Sequence, residues 1–128
     1  RPLITEETVT DNIGKVKEEG SCITCVPAIE TFIVKKEDGN LQIPKRADSL
    51  IARAPQSFHL KDIIGAHRKS IEQKLPDFID SCSMMSFFGY KLGLIIGPME
   101  NIKITTPTDY FIFRAMVQVH ENQQIFGY

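Results

Sequence analysis

An amphipathic helix pattern followed at once by an apolar strand pattern constrains the fold of this chain more than any other feature. Residues 5–20 (TEETVTDNIGKVKEEG) begin with an acidic turn and place Val9, Ile13 and Val16 near helical spacing. Residues 21–28 (SCITCVPA) then form an apolar run that predicts a buried strand. A helix that leads directly into a buried strand is typical of α/β proteins, in which helices cover a sheet.

The rest of the chain continues this alternation. Its patterns predict helices at 60–74, 80–89 and 107–122, and strands at 50–58, 91–96 and 101–105. Pro55 is expected to end the first of these strands, because proline has no N–H for a strand ladder. The apolar residues of the helix predicted at 80–89 are expected to pack in the core rather than to line an apolar ligand site. They are Met84, Met85, Phe87 and Phe88.

Residues 31–46 predict a β-hairpin with an uncovered apolar face. Two strand-like segments, 31–36 and 41–46, flank the turn sequence Glu-Asp-Gly-Asn at 37–40. Two strands alone are marginally stable in water. We therefore expect the hairpin to lie either on the parent sheet or on a second subunit.

Composition and charge exclude several classes of function. The chain has 128 residues, 42% of them hydrophobic, which suffices for one globular core. Fifteen Lys and Arg residues against sixteen Asp and Glu residues give a net charge of −1, so no broad positive field is available for a nucleic acid. No apolar run approaches the roughly 20 residues of a membrane helix, so no membrane partner is expected.

The three cysteines predict a reduced protein in the cytoplasm, because they are too few and odd in number for a disulfide framework. Cys22 and Cys25 have CxxC spacing, but on a strand their side chains face opposite sides. No second pair of ligands accompanies them, and the three histidines are scattered, so no protein metal site is expected.

Lys103 stands out at a predicted strand-to-helix junction. Thr106-Pro107-Thr108-Asp109 has the pattern of a capped helix start with proline at the first helical position. An ammonium beside a helix N-terminus is well placed to bind a phosphate. A lysine that protects a strand edge from aggregation is the alternative, and this segment alone favours neither reading.

Five motifs, in order along the chain, resemble one enzyme family. They are Arg1-Pro2, residues 26–31 (VPAIET), Lys45-Arg46 with residues 53–58 (RAPQSF), Asp80, and residues 97–109 (GPMENIKITTPTD). They are similar to motifs of the 4-diphosphocytidyl-2-C-methylerythritol synthases (methylerythritol phosphate cytidylyltransferases), which act in isoprenoid biosynthesis, and of the related ribitol-5-phosphate cytidylyltransferases. The family motif around the third segment reads Gln-Thr-Pro-Gln-x-Phe, and that around the last reads Gly-x-x-x-Asn-Ile-Lys-Val/Ile-Thr-x-Pro-Glu-Asp.

The resemblance implies a fold and an assembly. The fold would be α/β: the C-terminal part of a Rossmann-like three-layer αβα nucleotidyltransferase fold with a protruding β-hairpin arm. Residues 1–128 would form the C-terminal portion of a single cytidylyltransferase domain, and the hairpin at 30–46 would be a homodimerisation arm that carries Arg46 into the partner's site.

The resemblance also implies an activity and a set of site residues. Such enzymes transfer CMP from CTP to a polyol phosphate and release pyrophosphate. Lys103 and Arg1 would be catalytic, and the substrates would be bound by Arg1, Thr31, Arg46, Asp80 and Lys103. Mg²⁺ would be bound mainly through the CTP phosphates and through family residues that these 128 residues do not include.

Departures from the family pattern keep two questions open. Ile79 stands where the methylerythritol enzymes have threonine, so the acceptor could be 2-C-methyl-D-erythritol 4-phosphate, ribitol 5-phosphate or another polyol phosphate. The glycine-rich CTP loop and the motif aspartate are not among these residues, so we expect this chain alone to be inactive. A non-catalytic fragment or binding module, which keeps the dimer arm and the acceptor half of the pocket, is the alternative function.

Overall fold

The computed structural model describes residues 1–127, which divide into two compact units, residues 6–97 and residues 1–5 with 98–127. The larger unit contains α1 (Glu6–Glu19), β1 (Ser21–Pro27), β2 (Val34–Lys35), β3 (Leu41–Gln42), β4 (Leu50–Phe58), α2 (Leu60–Glu72), α3 (Ser81–Phe87) and β5 (Leu94–Ile96). The smaller unit contains α4 (Pro107–Phe126). The α/β prediction is confirmed, and so are the four predicted helices, within a few residues at their ends.

Strand β1 is the centre of the larger unit. The sheet order is β4-β1-β5, with β1 antiparallel to β4 and parallel to β5. Every residue from Ser21 to Val26 is buried, so both faces of this strand are covered. Because side chains alternate along a strand, two helices on opposite faces are needed to bury it.

The contacts of β4 identify those two helices. Ser57 Oγ donates a hydrogen bond to Asn12 Oδ1 on α1 at 2.9 Å. The neighbouring Gln56 points the other way, and its Oε1 accepts from the backbone N–H of Cys82 on α3 at 2.8 Å. Helices α1 and α3 therefore cover opposite faces of the sheet, which gives the expected three layers.

A buried polar network fixes α1 on the sheet. Asn12 is 1% exposed, and its Nδ2 donates to the Thr8 carbonyl at 2.8 Å and to Thr24 Oγ1 at 2.9 Å. With the hydrogen bond from Ser57, this one amide links α1 to both β1 and β4. A buried amide is stable only when it is paired, so the network specifies one position of the helix.

The opposite face holds the apolar core. Ala66, Met84 and Met85 are buried there, and the side chains packed on them are Phe58, Ile63, Phe78, Phe88, Tyr90 and Leu92. The predicted packing role is therefore correct for three of the four apolar residues of α3. It is wrong for Phe87, which is 60% exposed and contacts only the edge of the cluster through the rings of Phe78 and Phe88.

Pro55 does not end β4, in contrast to the prediction. The strand runs on to Phe58, and the pairing shifts between Ile23, opposite Gln56, and Cys25, opposite Ala52. Residues 53–55 therefore form a bulge opposite Thr24. A bulge tolerates proline because its residues leave the ladder and need no paired N–H.

The predicted strand at 101–105 is not formed. The backbone N–H groups of Asn101 and Ile102 bond locally to the carbonyls of Pro98 and Glu100, at 3.2 and 2.7 Å. The N–H of Thr105 bonds to a carboxylate oxygen of Asp109 at 3.0 Å. Turn and capping groups thus take three of the N–H donors that a ladder would have used, and the segment forms no strand.

The predicted hairpin is present, but its ladder is short. Strands β2 and β3 pair through two residue pairs, Val34 with Gln42 and Lys35 with Leu41. All residues from 31 to 43 are exposed, including apolar ones such as Ile33 and Leu41, each 64% exposed. We call residues 30–46 the arm.

No helix among the described residues is long and apolar enough to cross a membrane.

Gly93 gives a test of the packing at the start of β1. The Gly93 N–H donates to Ser21 Oγ at 2.9 Å, and a Cβ at this position would overlap the Ser21 carbonyl oxygen. We expect Gly93→Ala to lower the free energy of unfolding by about 1–3 kcal/mol, since backbone atoms must move to admit the methyl group.

Gly14→Ala is the matched control, because a Cβ at that helical position meets no atom within 4 Å. It should raise stability by up to about 1 kcal/mol through helix propensity. Urea unfolding of the full-length protein measures both, and a neutral Gly93→Ala would contradict the close approach described here.

Candidate functional site

The smaller unit brings two of the predicted site residues to one segment. Arg1 Nη1 donates a hydrogen bond to the Asn101 carbonyl at 2.6 Å, and Lys103 follows two residues later with an exposed side chain. Asn101 itself is fully buried and anchors the start of this segment. A guanidinium and an ammonium are therefore attached to the same short stretch of chain, as a site for polyanions requires.

The start of α4 fixes the other end of that stretch. Thr106 is the N-cap, and its Oγ1 accepts from the Asp109 N–H at 3.3 Å. In return Asp109 Oδ2 accepts from the Thr106 N–H at 2.7 Å, which completes the predicted capping box. The backbone N–H groups of Thr105 and Thr106 lower the pKa of Asp109, so the cap stays ionised. Lys103 is thus held directly before a firmly capped helix N-terminus.

Two further predicted residues lie at the base of the arm. Arg46 Nη1 lies 3.5 Å from the carbonyl oxygen of Ile29, two residues before Thr31. Both Thr31 and Arg46 are exposed. The long distance indicates a weak contact, so the guanidinium keeps most of its donors for a ligand.

Asp80 has a well-defined structural contact set. It is the N-cap of α3, and its Oδ1 accepts from the Ser83 N–H at 2.8 Å. Its Oδ2 lies 3.3 Å from the donor Nε2 of Gln56. Hydrogen bonds from the Ser83 side chain and backbone, with a smaller part from Gln56, hold the pKa of Asp80 below its usual value although partial burial opposes them.

The described contacts therefore group the predicted residues in three places. Arg1 is hydrogen-bonded to the segment that carries Lys103, Thr31 and Arg46 lie at the base of the arm, and Asp80 lies at the start of α3. Within residues 1–127, the Asp80 carboxylate is hydrogen-bonded by the Gln56 side chain and the Ser83 backbone N–H rather than by Thr31 or Arg46.

Sequence reasoning missed the role of Gln56. In the sequence, Gln56 is only one residue of the RAPQSF motif. A single glutamine on a strand belongs to no repeating pattern, so the sequence does not predict which groups it contacts. The structure gives it three contacts: its Oε1 accepts from the Cys82 N–H, and its Nε2 lies 3.3 Å both from the Arg53 carbonyl and from Asp80. Only the tertiary packing of α3 on β4 creates this arrangement.

Cys22 and Cys25 lie in the interior of the larger unit, as predicted for structural thiols. Cys22 and Cys25 are buried, and burial raises the pKa of each thiol. Cys82 is half-buried, and burial raises its pKa as well. Within residues 1–127, no three or more His, Cys, Asp or Glu side chains are grouped closely enough to hold a metal ion.

The Asp80 cap predicts a pH-dependent stability. A carboxyl group with a lowered pKa in the folded state stabilises the fold above its unfolded pKa of about 4, and this stability is lost as the pH falls through the folded-state pKa. We expect Asp80→Asn to melt below the unmodified protein at pH 7, with a difference that shrinks below about pH 4. Thermal melts of the full-length protein from neutral to acidic pH measure it. A difference that is constant with pH would contradict the ionised cap.

Comparison with known proteins identifies relatives along nearly the whole chain. Residues 1–119 match the family model described as IspD: 2-C-methyl-D-erythritol 4-phosphate cytidylyltransferase. The ribitol-5-phosphate cytidylyltransferase of Vibrio parahaemolyticus is 48% identical over 99% of this chain and 54% of its own length. That of Streptococcus agalactiae is 44% identical over 99% of this chain and 54% of its own length. The chain thus spans about half the length of the curated relatives it matches.

Solved structures show the same relationship. The 4-diphosphocytidyl-2C-methyl-D-erythritol synthase of Anaerococcus prevotii superposes with a TM-score of 0.82 at 26% identity, over 92% of this chain and 55% of that one. The 2-C-methyl-D-erythritol 4-phosphate cytidylyltransferase of Thermus thermophilus shares the fold, with a TM-score of 0.78 at 20% identity over 92% of this chain and 58% of that one. With a family model that covers residues 1–119, this chain belongs to the 2-C-methyl-D-erythritol 4-phosphate cytidylyltransferase (IspD) family.

Proposed function

We propose that the protein to which this chain belongs transfers CMP from CTP to a polyol phosphate and releases pyrophosphate. The observation that carries the proposal is the 48% identity, over 99% of this chain, to a ribitol-5-phosphate cytidylyltransferase. The chain covers half of that relative, so the activity is proposed for the full-length protein.

The reaction needs positive charge more than it needs a base. A phosphate monoester has a second pKa near 6, so the acceptor is already largely dianionic at pH 7. One of its oxygens attacks the α-phosphorus of CTP, a new P–O bond forms, and the bond from the α-phosphorus to the bridging oxygen breaks. That oxygen leaves with the electron pair as part of pyrophosphate. The barrier lies in bringing anions together in line, which cationic side chains lower.

Lys103 and Arg1 are suited to this task. Lys103 belongs to the segment that leads into α4, and Arg1 is hydrogen-bonded to the same segment at the Asn101 carbonyl. Lys103 is exposed and precedes a helix N-terminus, which itself favours anions. We assign Lys103 to the phosphate charge that develops in the transition state. Arg1, whose planar fork matches phosphate oxygens, is assigned to the acceptor phosphate.

Arg46 and Thr31 are assigned to the acceptor in the partner's site. Both lie at the base of the arm, whose apolar side chains are exposed along its length. A second copy of the chain would cover these side chains. Arg46 of each subunit would then lie at the acceptor site of the other subunit. This proposal makes the active unit a homodimer.

Ribitol 5-phosphate is the acceptor that we favour over 2-C-methyl-D-erythritol 4-phosphate. The relatives at 44–48% identity carry the ribitol name. Ile79 presents an apolar side chain that is 94% exposed beside Asp80, where a threonine would have offered a hydroxyl. An isoleucine cannot donate a hydrogen bond to the acceptor, so the two acceptors would be distinguished at this position.

Mg²⁺ is the metal that we propose for the reaction, bound mainly by phosphate oxygens of CTP. Residues 1–127 contain no cluster of three His, Cys, Asp or Glu side chains fit to hold it, so we assign it no ligand in this chain. The three cysteines form no disulfide, which supports the reducing cytoplasm as the compartment that we propose.

Lys103→Met tests the catalytic assignment. It keeps the unbranched stem and removes the charge, so kcat should fall by roughly two to three orders of magnitude while stability stays nearly constant. Lys103→Arg should restore activity only in part, because a planar fork differs from a compact ammonium. The measurement is CTP-dependent pyrophosphate release with ribitol 5-phosphate by the full-length protein.

Lys61→Met, at an exposed position of α2, is the matched control and should behave as wild type. Activity of Lys103→Met within a few-fold of wild type would remove Lys103 from the site. A wild-type protein that binds CTP but releases no pyrophosphate with either polyol phosphate would favour a non-catalytic binding module.

The arm is tested by adding charge to its apolar surface. Ile33→Asp with Leu41→Asp should convert the full-length dimer into monomers, because two carboxylates would be buried without partners. Ile71→Asp adds one carboxylate at a position that is 76% exposed outside the arm, and it should leave the dimer intact. Sedimentation velocity measures all three proteins. A dimer that survives both arm substitutions would exclude the arm as the interface.

A further inference from the structure

We infer that Gln56 is a positioning residue for the polyol phosphate, which acts by holding Asp80 in the orientation that receives a substrate hydroxyl. The inference rests on the proposed function, because it concerns the acceptor of that reaction. The inference adds Gln56 to the proposed site because of its contacts, and not because it occurs in a family motif.

The side chain of Gln56 is held from both ends of its amide. Oε1 accepts the Cys82 N–H at 2.8 Å, and Nε2 lies 3.3 Å from the Arg53 carbonyl oxygen and from Asp80 Oδ2. With the amide orientation set by Cys82, the donor end is aimed at Asp80. Gln56 therefore ties the bulge of β4 to the loop before α3.

Asp80 is held by the Ser83 N–H at 2.8 Å and by Gln56 at 3.3 Å, and it keeps capacity for a ligand. Its two oxygens have about four lone-pair sites, of which Ser83 and Gln56 take only part. Asp80 lines an open cleft of about 540 Å³ between α2 and α3, together with polar residues such as His67, Ser70 and Ser81. A hydroxylated ligand that reaches this cleft meets an acceptor whose rotamer is already set.

Such an arrangement lowers the cost of binding a polyol. A free carboxylate must lose rotamer freedom to accept a hydroxyl, whereas one held by two donors has already lost it. The Gln56 amide is also neutral, so it orients Asp80 without neutralising the charge that makes it a strong acceptor. A lysine or arginine at this position would bind Asp80 more tightly and compete with the substrate.

The test compares substrates in the full-length enzyme. Gln56→Met keeps the length of the side chain and removes both hydrogen-bonding groups. We expect the KM for ribitol 5-phosphate to rise about tenfold, with the KM for CTP changed by less than about twofold. Gln73→Met, an exposed glutamine at the end of α2, is the matched control and should change neither KM.

A double-mutant cycle separates positioning from a purely structural role. If Gln56 acts through Asp80, Gln56→Met should raise the acceptor KM no further in an Asp80→Ala background. If Gln56→Met does not fold, Gln56→Glu replaces it: this variant keeps the acceptor for the Cys82 N–H but sets a carboxylate oxygen against Asp80. It should also raise the acceptor KM selectively.

Each outcome has one meaning. An unchanged acceptor KM, equal changes in both KM values, or additive effects in the cycle would overturn the role of Gln56 and leave the proposed reaction standing. A wild-type enzyme with no pyrophosphate release from CTP and ribitol 5-phosphate would overturn the proposed reaction, and this inference with it.

Discussion

The burial of β1 on both faces is the constraint on which the larger unit depends. A strand of six consecutive buried residues can exist only between two covering layers, so α1 and the α2–α3 pair must pack on opposite sides. The polar side chains of this strand are paired within the fold. Thr24 accepts from Asn12, and Ser21 Oγ donates to the Lys91 carbonyl at 2.9 Å and accepts from the Gly93 N–H. These contacts fix where α1 and the start of β5 lie along the sheet, which hydrophobic burial alone does not specify.

The same layered packing produces the features of the site in the larger unit. Adjacent residues of β4 face different layers. Ser57 therefore hydrogen-bonds to Asn12 on α1, and Gln56 accepts a hydrogen bond from Cys82 on α3. The bulge at residues 53–55 lies at this point, and Gln56 contacts the Arg53 carbonyl within it. The proposed site residue Asp80 is therefore held both locally, by the Ser83 N–H at 2.8 Å, and from the sheet, by Gln56 of β4 at 3.3 Å. This explains how a short loop can present a carboxylate with a defined orientation.

The smaller unit achieves a similar rigidity with local hydrogen bonds. From Asn101 to Asp109 the backbone is held at one end by burial and by Arg1, and at the other end by the capping box. Neither device involves the side chain of Lys103, which stays available to an anion. A chain that holds its cation on a fixed backbone loses little entropy when the ligand binds. For this reason we expect Lys103 to stabilise the phosphate charge of the proposed transition state better than a lysine on a mobile segment would.

Sequence alone determined much of this protein where the controlling interactions are local. The helix patterns, the capping box at Thr106 and Asp109, and the turn at residues 37–40 depend on neighbours a few residues away, and all were read correctly. The family motifs likewise identified the chain without any knowledge of its contacts. One failed prediction has a local cause: residues 101–105 form no strand because the N–H groups of Asn101, Ile102 and Thr105 bond to turn and cap groups two to four residues away. The other failures depend on distant partners. Pro55 sits in a strand because a bulge against Thr24 frees it from the ladder. Gln56 gained its contacts with Cys82 and Asp80, and Phe87 lost its predicted place in the core, through the packing of α3 on the sheet. Those outcomes are set by which side chains the layers bring together, and no spacing along the chain encodes them.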